Sequence, residues 1–258
     1  MAADANFDFS DSVVLVTGGG SGIGLAIAQA FLAAGANVIV TGRRREPLDA
    51  LAAKNPGHAF ALPADVSVKA EVGRVVTETI ERFDRLDIVV SNAAVIFPGD
   101  LTDLSDEHWT TMRAINIDGF FHLARATLPH LQRSGGTLVA VSSVSGLAGD
   151  WGQAGYNATK AAISNFVRSL ALDWGERGVR INAVAPALTD TDTVRAVTGD
   201  PRLVAQFESR VALGRIAQPA DIAPAVLFLA SDAAAYITGV ILPVDGGTSA
   251  SNGQPHLQ

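Results

Sequence analysis

The sequence predicts an α/β fold in which a parallel, doubly wound sheet of seven strands carries helices on both faces. Short apolar runs alternate regularly with longer amphipathic stretches along the 258 residues, which is typical of repeated strand–helix–strand units. Runs such as VVLVTG and DIVVSN are apolar throughout, as expected of strands that are buried on both faces. The chain is 48% hydrophobic and only 17% charged, which is enough apolar material for a large core.

The alternation, together with the glycine, proline and polar residues between the runs, places each element. The predicted strands are, in order, Val13–Thr17, Asn37–Thr41, Ala59–Pro63, Ile88–Ser91, Thr137–Ser142, Val179–Val184 and Val240–Val244. The predicted helices are Ile23–Ala34, Pro47–Ala53, Lys69–Phe83, Asp106–Arg133, Ala154–Glu176, Arg202–Ala212 and Pro219–Ala230. Because helices separate the strands, the strands are expected to be parallel and joined by right-handed crossovers.

No repeat, low-complexity tract or linker interrupts this pattern, so residues 1–258 are expected to form a single domain. Within it, the less regular interval 188–215 is expected to be a lid over the substrate. Residues 248–258 follow the last predicted strand and are expected to be a frayed tail, with docking on a neighbouring subunit as the alternative.

Charge and composition exclude several classes of function. The formal net charge of −7 offers no attraction for nucleic acid or for an anionic membrane surface. The absence of cysteine excludes disulfides, thiolate catalysis and cysteine-bearing metal sites. The first residues lack the basic and apolar regions of a signal peptide, and no apolar run is long enough to span a bilayer. We therefore expect a cytoplasmic protein.

A glycine-rich turn, TGGGSGIG, falls between the first predicted strand and the first predicted helix. Glycines let the backbone turn tightly and approach a pyrophosphate, and free N–H groups at a helix N-terminus face its negative charge. The strand–turn–helix context makes the motif more specific than its glycine spacing alone, although a purely structural turn remains the alternative. A fold of the Rossmann type is expected, with a dinucleotide bound by Gly18, Ser21, Gly22, Ile23 and Gly24.

Two arginines follow the second predicted strand, about twenty residues after the turn. An NAD site normally places Asp or Glu there to bind the ribose hydroxyls, and neither is present. Arg43 and Arg44 instead suit the 2′-phosphate of NADP, unless they only decorate a loop. The sequence therefore favours NADP(H), with NAD(H) as the less favoured cofactor.

Residues that follow the third and fourth predicted strands extend the expected cofactor site. Asp65 is placed to accept the adenine amino group and Val66 to pack on its ring, while Asn92 and Ala93 are placed to line the groove. Such residues are common in turns. Their significance is their position, because parallel sheets bind ligands at the carboxyl ends of their strands.

Tyr156 and Lys160 lie four residues apart in a predicted helix and therefore share a face. A tyrosine with a pKa of about 10 is a poor acid–base catalyst near neutrality, and a nearby ammonium is expected to lower that pKa. The fifth predicted strand ends in hydroxyl residues that can support a substrate oxygen. Ser143, thirteen residues before Tyr156, has the best spacing, and Ser142 and Ser145 are the alternatives.

Taken together, these residues resemble the short-chain dehydrogenase/reductase family over essentially the whole chain. The matching segments are TGGGSGIG, the NAA after the fourth strand, Asn116, Ser143, YNATK, RINAVAP and DGG. The resemblance implies a sheet order of 3-2-1-4-5-6-7. It also implies Tyr156 as general acid/base, Ser143 orienting the substrate oxygen, Lys160 holding the nicotinamide ribose, and Asn116 anchoring a proton-relay water.

Two departures from the family pattern add a methyl group close to the expected cofactor path. Ala94 and Ala187 stand where the family usually has glycine. Thr189 and Thr191 still occupy positions suited to the nicotinamide carboxamide, so altered rather than lost cofactor binding is expected. The resemblance also implies a homotetramer, or sometimes a dimer, which suits the long apolar predicted helices.

The predicted reaction moves a hydride between a nicotinamide and a ketone or secondary alcohol. Substrate choice is assigned to the lid and to Val95, Ile96, Phe97, Leu147, Asp150 and Trp151. Bulky or aromatic ketones suit the apolar members, whereas Asp150 leaves a sugar or polyol possible. Two further alternatives are a 3-oxoacyl-carrier-protein reductase, with Arg133 and Arg177 meeting the carrier, and a non-catalytic NADP-sensing regulator. No catalytic metal is expected, because the histidines are scattered: His58, His108, His122, His130 and His256.

Overall fold

The structure, a computed structural model, describes residues 7–252 and residue 254. Seven parallel strands form one sheet in the order β3-β2-β1-β4-β5-β6-β7, which confirms the predicted class and the order implied by the family resemblance. The strands are β1 Val13–Thr17, β2 Asn37–Thr41, β3 Ala59–Ala61, β4 Ile88–Ser91, β5 Thr137–Val141, β6 Arg180–Pro186 and β7 Ile241–Val244.

Helices cover both faces of the sheet. They are α1 Gly22–Ala33, α2 Arg45–Lys54, α3 Lys69–Phe83, α4 Asp106–Met112, α5 Gly119–Ser134, α6 Ala154–Trp174, α7 Arg195–Thr198, α8 Pro201–Glu208 and α9 Pro219–Ala230. Short 3₁₀ turns occupy Val144–Gly146, Gly175–Arg177, Asp192–Val194, Asp232–Ala234 and Thr248–Ala250. No helix in the described part of the chain is both long and apolar enough to cross a membrane.

The two faces of the sheet carry separate cores. Along β1, Val13 and Leu15 pack into a cluster with apolar residues of α3, α5 and α6. Val14 and Val16 point the other way and pack with residues of α1, α2 and α9. Side chains alternate across a strand, so a strand covered on both faces must be apolar at every position. The continuous run VVLV is the sequence signal of this arrangement.

One predicted helix is divided. The sequence predicts a single helix over Asp106–Arg133, but the structure shows α4, a π-helical segment Arg113–Asp118, and then α5. A π-helical turn inserts an extra residue into the hydrogen-bond ladder of a helix. Here the turn contains Asn116, whose side-chain amide bonds to groups outside the helix, so contacts with the rest of the fold cause the break. The helix predicted over Arg202–Ala212 ends earlier in the structure, at Glu208. Beyond it the chain turns towards the end of β7, where Leu213 N–H donates to Gly246 O at 3.1 Å.

Loops at the carboxyl edge of the sheet carry most of the predicted site residues. β5 stops at Val141, so all three candidate serines lie just past the strand rather than within it. The interval 188–215, predicted as a lid, holds α7 and α8 and returns beside its own start through the bridge between Thr189 and Ala217. Arg215 fixes its far end by donating to both carboxylate oxygens of Asp221 at 2.6 and 2.7 Å. Five residues of the predicted tail, 253 and 255–258, lie outside the described residues.

Candidate active site

The glycine turn leaves no room for side chains. Gly18 has a φ of 66°, and a Cβ atom there would lie 2.7 Å from Asn92 Nδ2. A Cβ atom on Gly24 would lie 2.2 Å from the Gly18 carbonyl oxygen. Gly22 also has a left-handed φ, of 52°, and faces Thr191 of the lid. The turn therefore presents bare backbone at the carboxyl edge of the sheet.

Thr17 joins this turn to the end of β4. Its Oγ1 accepts the N–H groups of Asn92 and Ala93 at 2.9 and 3.1 Å. Asn92 Nδ2 in turn donates to the carbonyl oxygens of Thr17 and Gly18 at 2.9 and 3.3 Å. Asn92 and Ala93 thus lie beside the glycine turn as predicted, and these polar groups hold the turn in shape.

The N-terminus of α1 suits an anion. Ser21 precedes the helix without a side-chain capping hydrogen bond, so among the described residues the N–H groups of Gly22, Ile23 and Gly24 have neither a helical nor a side-chain partner. These backbone donors fit the phosphates of a dinucleotide.

Two free cations follow β2. Arg43 and Arg44 are exposed, and within the described residues neither makes an ion pair or a hydrogen bond. Arg45, the next residue, lies 4.0 Å from Asp49 in α2. No carboxylate of the described chain is therefore bound to the first two guanidinium groups, as the predicted phosphate site requires.

Asp65 and Val66 lie where β3 leads into α3. The Asp65 carboxylate accepts the N–H and the hydroxyl of Ser67 at 2.9 and 2.7 Å, which leaves its second oxygen unpartnered. Val66 is 7% exposed and packs against Gly119 at the start of α5. Their predicted contact with adenine stays a prediction.

Hydrogen bonds distinguish the three candidate serines. Ser142 Oγ bonds to Ser164 Oγ at 2.9 Å and is directed into α6. Ser145 Oγ donates to Asp150 Oδ2 at 2.7 Å. Ser143 Oγ accepts the Ser145 N–H at 3.1 Å, donates to Pro186 O at 3.5 Å, and lies near enough to the Tyr156 hydroxyl to lower the pKa of the phenol. The structure thus pairs Ser143, and neither alternative, with the tyrosine.

Tyr156 and Lys160 share one face of α6, and Lys160 Nζ lies 5.7 Å from the centroid of the Tyr156 ring. The expectation that the ammonium lowers the pKa of the tyrosine is wrong for this structure. Burial raises the pKa of Tyr156 to about 12, with a lowering contribution from the Ser143 hydrogen bond and a raising one from the Asp150 charge. Burial also lowers the pKa of Lys160 to about 8, and Lys160 Nζ donates to Val141 O at 2.8 Å. The phenol is therefore protonated at neutral pH.

Asn116 connects two parts of the site. Its Nδ2 donates to Val95 O at 2.9 Å and to Thr159 Oγ1 at 3.0 Å, and its Oδ1 accepts the Val95 N–H at 2.8 Å. Thr159 Oγ1 donates to Tyr156 O at 2.8 Å. Both donors of the amide are therefore used to hold the loop after β4 against the first turns of α6, and the expected relay water at Asn116 stays a prediction.

The lid lies against the glycine turn. Thr191 packs beside Gly22, where a Cβ atom would lie 3.0 Å from Thr191 Cγ2. Thr189 is 5% exposed, and its Oγ1 donates to Ala187 O at 3.0 Å. The structure thus brings the start of the lid to the same edge as the glycine turn, while contact of these threonines with a nicotinamide stays a prediction.

Apolar side chains border an open mouth. Phe97 stacks on His108 with ring centroids 4.0 Å apart, and Trp151 is 98% exposed. Gly99 N–H donates to Gly152 O at 2.8 Å and joins the loops after β4 and β5. The described residues contain no group of three or more His, Asp or Glu able to hold a metal, and His256 lies outside them.

Sequence reasoning missed two structural links in this site. Thr17 and Thr159 touch no predicted ligand, yet they position the Asn92 turn and the Tyr156 turn of the backbone. Both threonines lie within motifs that the sequence singles out, Thr17 in TGGGSGIG and Thr159 in YNATK, but the motifs assigned neither of them a role.

The sequence of this chain is similar to those of known proteins over nearly its whole length. A family model described as enoyl-(acyl carrier protein) reductase matches residues 18–249. The meso-2,3-butanediol dehydrogenase of Serratia marcescens is 41% identical over 251 residues, covering 96% of this chain and 99% of its own. The chain belongs to the short-chain dehydrogenase/reductase family. It is therefore an oxidoreductase of this family.

Solved structures of two other members of the short-chain family superpose on nearly the whole molecule. A gluconate 5-dehydrogenase from Burkholderia cenocepacia, in complex with NADP and tartrate, is 30% identical with a TM-score of 0.90, covering 95% of this chain and 98% of its own. A 3-ketoacyl-(acyl-carrier-protein) reductase from Brucella melitensis, complexed with NADH, is 30% identical with a TM-score of 0.88, covering 92% and 98%.

Proposed function

We propose that this short-chain dehydrogenase/reductase is an NADP(H)-dependent enzyme that interconverts a ketone and a secondary alcohol. The observation that carries the proposal is the arrangement of Ser143, Tyr156 and Lys160 at the carboxyl edge of the sheet: Lys160 Nζ lies 5.7 Å from the centroid of the Tyr156 ring, and the Ser143 hydroxyl is close enough to lower the pKa of the phenol. This places a proton donor and a second hydroxyl together where a doubly wound sheet binds its ligand.

The protein's own residues would divide the work in the following way. When bound, a nicotinamide supplies or accepts the hydride. Tyr156 is protonated at neutral pH and gives its proton to the carbonyl oxygen in reduction; in oxidation it must first lose that proton. Ser143 donates a hydrogen bond to the same oxygen as negative charge develops on it.

Lys160 and Asn116 would support the tyrosine. Lys160 is buried on the same helix face and is assigned to the ribose of the cofactor and to stabilising the phenolate when it forms. The two donors of the Asn116 amide are occupied, so we assign this side chain a positioning role in place of the predicted water relay.

Arg43 and Arg44 support NADP(H) over NAD(H). The two solved relatives carry different nicotinamides, NADP in one and NADH in the other, so the shared fold is compatible with both. In this chain the two free guanidinium groups follow β2 and suit a 2′-phosphate, and no carboxylate stands between them and the end of that strand.

The substrate is proposed to be a small molecule rather than a carrier-bound acyl chain. Arg133 and Arg177, the candidates for meeting an acidic carrier, lie just before β5 and β6 begin, at the edge of the sheet opposite to Ser143. A reductase of carrier-bound acyl groups remains the second candidate, because one solved relative is a 3-ketoacyl-carrier-protein reductase. A role as a purely NADP-sensing regulator is disfavoured by the paired Ser143 and Tyr156.

We further propose that the protein is a cytoplasmic homotetramer that binds neither nucleic acid nor membranes. Large apolar side chains on α5 and α6 support assembly, since Phe121 is 44% and Leu172 84% exposed. The cysteine-free, acidic composition supports the location and the absence of nucleic-acid partners.

Tyr156→Phe tests the enzymatic proposal. We expect turnover in an NADPH-oxidation assay with a panel of ketones to fall by a factor on the order of 10² to 10⁴, with NADPH affinity within a few-fold of the wild type. Tyr236→Phe is the matched control, because Tyr236 is the only other tyrosine and is fully exposed. Retained turnover in Tyr156→Phe would remove the role assigned to this residue.

A further inference from the structure

We propose that Asp150 selects substrates that carry a hydroxyl on the carbon next to the reacting carbon, by accepting a hydrogen bond from that hydroxyl. The inference rests on the proposed function, because it takes the reacting oxygen to lie between Ser143 and Tyr156. It identifies the substrate class as vicinal diols and the corresponding α-hydroxy ketones.

Ser145 holds the Asp150 carboxylate in a defined place. The Ser145 hydroxyl donates to Asp150 Oδ2 at 2.7 Å, and its backbone N–H donates to Ser143 Oγ at 3.1 Å. Ser145 is only 6% exposed and cannot move freely. One buried residue thus ties the carboxylate to Ser143, whose hydroxyl lowers the pKa of Tyr156.

The backbone of Asp150 is also anchored. With the Asn157 amide in the orientation that satisfies both its polar atoms, its oxygen accepts the Asp150 N–H at 2.6 Å and its nitrogen donates to Gln153 O at 3.1 Å. Asn157 is in the first turn of α6, next to Tyr156. The loop that carries Asp150 is therefore fastened to the same helix turn as the tyrosine.

The free part of the carboxylate is available to a ligand. Asp150 Oδ2 is bonded to Ser145, whereas Oδ1 has no hydrogen-bond partner among the described residues, and the residue is exposed at the mouth. The Asp150 charge also reaches Tyr156, because it contributes to raising the pKa of the phenol. Through Ser145, which bonds to both residues, the Asp150 carboxylate lies on the same side of the site as the Ser143 hydroxyl.

A carboxylate in this place discriminates between substrates by what they can donate. An ionised carboxylate only accepts hydrogen bonds, so it is satisfied by a substrate hydroxyl and is left unpaired by a plain ketone. The exposed Trp151 beside it would displace water as a substrate enters, which increases the cost of leaving the charge unpaired. A hydroxyl on the carbon next to the reacting carbon is the nearest hydrogen-bond donor that a small ketone substrate can offer.

A matched pair of substrates tests this assignment. 3-Hydroxy-2-butanone and 2-butanone share a four-carbon skeleton and differ only in the neighbouring hydroxyl. We expect the wild-type enzyme to favour the hydroxy ketone in kcat/KM, and Asp150→Ala to reduce that preference at least tenfold. Asp150→Asn should retain part of the preference, since an amide oxygen also accepts a hydrogen bond.

Asp100→Ala is the control, because Asp100 is an exposed acid on the same rim whose carboxylate is bonded to Thr102. It should leave the preference unchanged. Thermal unfolding of each variant verifies that the fold is intact.

The result that would overturn the inference is an equal effect of Asp150→Ala on both ketones, which would mean that the carboxylate acts only through Tyr156. In that case the apparent pKa in the rate profile of Asp150→Ala would fall by the same amount with both substrates. Absence of preference in the wild type also overturns the inference and leaves the proposed function standing. Wild-type protein that turns over neither ketone nor any other carbonyl compound would instead remove the proposed function, and this inference with it.

Discussion

Replacing Asn116 by alanine is the most direct test of how this site is held together. The amide makes three hydrogen bonds of 2.8 to 3.0 Å, two partly buried ones to Val95 and a buried one to Thr159. A buried hydrogen bond contributes about 1 kcal/mol net, and a partner left unsatisfied costs about 1–3 kcal/mol. Since the Val95 N–H and carbonyl would both lose their partner and Thr159 Oγ1 would lose one of its two bonds, we expect Asn116→Ala to lower the free energy of unfolding by about 3–5 kcal/mol.

Thermal unfolding at one fixed protein concentration measures this loss, because any subunit assembly makes Tm depend on concentration. For a chain of this size 1 kcal/mol corresponds to about 2–4 °C, so Tm should fall by about 6–20 °C. Asn55→Ala is the matched control: Asn55 Nδ2 makes a single hydrogen bond, to Leu51 O at 3.0 Å. A fall in Asn116→Ala no larger than in Asn55→Ala would refute the reasoning.

Three further predictions concern the cofactor turn and the tyrosine. Replacing both Arg43 and Arg44 by alanine should weaken NADPH binding by about 30-fold or more while changing NADH binding little, as fluorescence titration would measure. Gly24→Ala should prevent dinucleotide binding or folding, because the new methyl would lie 2.2 Å from Gly18 O; expression followed by titration with NADPH tests this. Since the pKa of Tyr156 is raised to about 12 and that of Lys160 is lowered to about 8, reduction should be flat from about pH 5 to 7 and change only as Lys160 loses its proton, whereas oxidation should rise about tenfold per pH unit over the same range, as rate profiles in both directions would show.

Each of these predictions has a control or a contrary result. Arg45→Ala should affect neither cofactor, because this neighbouring arginine faces Asp49; equal weakening of NADPH and NADH in the Arg43/Arg44 variant would contradict the phosphate assignment. Gly73→Ala in α3 meets nothing within 4 Å and should stabilise the protein by about 0.5–1 kcal/mol. An oxidation rate that is flat with pH would show that the tyrosine does not have to ionise.

Much of the fold could be predicted from the sequence because its signals are local. The run Val13–Thr17 is apolar at every position, and the structure has the strand with those bounds. Tyr156 and Lys160 were expected on one face of a helix, and the helical repeat places them there. Glycine spacing predicted a bare backbone turn, and Gly18 and Gly24 have no space for a side chain.

Other features could not be read from local pattern. The break in the predicted helix Asp106–Arg133 arises where Asn116 bonds to a loop and to a second helix, both distant in sequence. The choice of Ser143 over Ser142 depends on which hydroxyl faces Tyr156 and which faces Ser164. Spacing favoured Ser143 but kept Ser142 and Ser145 as alternatives.

By itself, the sequence determined the order of strands and helices, the glycine turn and the pairing of tyrosine with lysine, because each depends on residues within one or two turns or strands. Only the tertiary structure decided the electrostatics of the site. Burial raises the pKa of Tyr156 and lowers that of Lys160, and the surroundings that exclude water come from several separate parts of the chain. The cost of removing a charge from water depends on that three-dimensional enclosure, which no spacing of residues expresses.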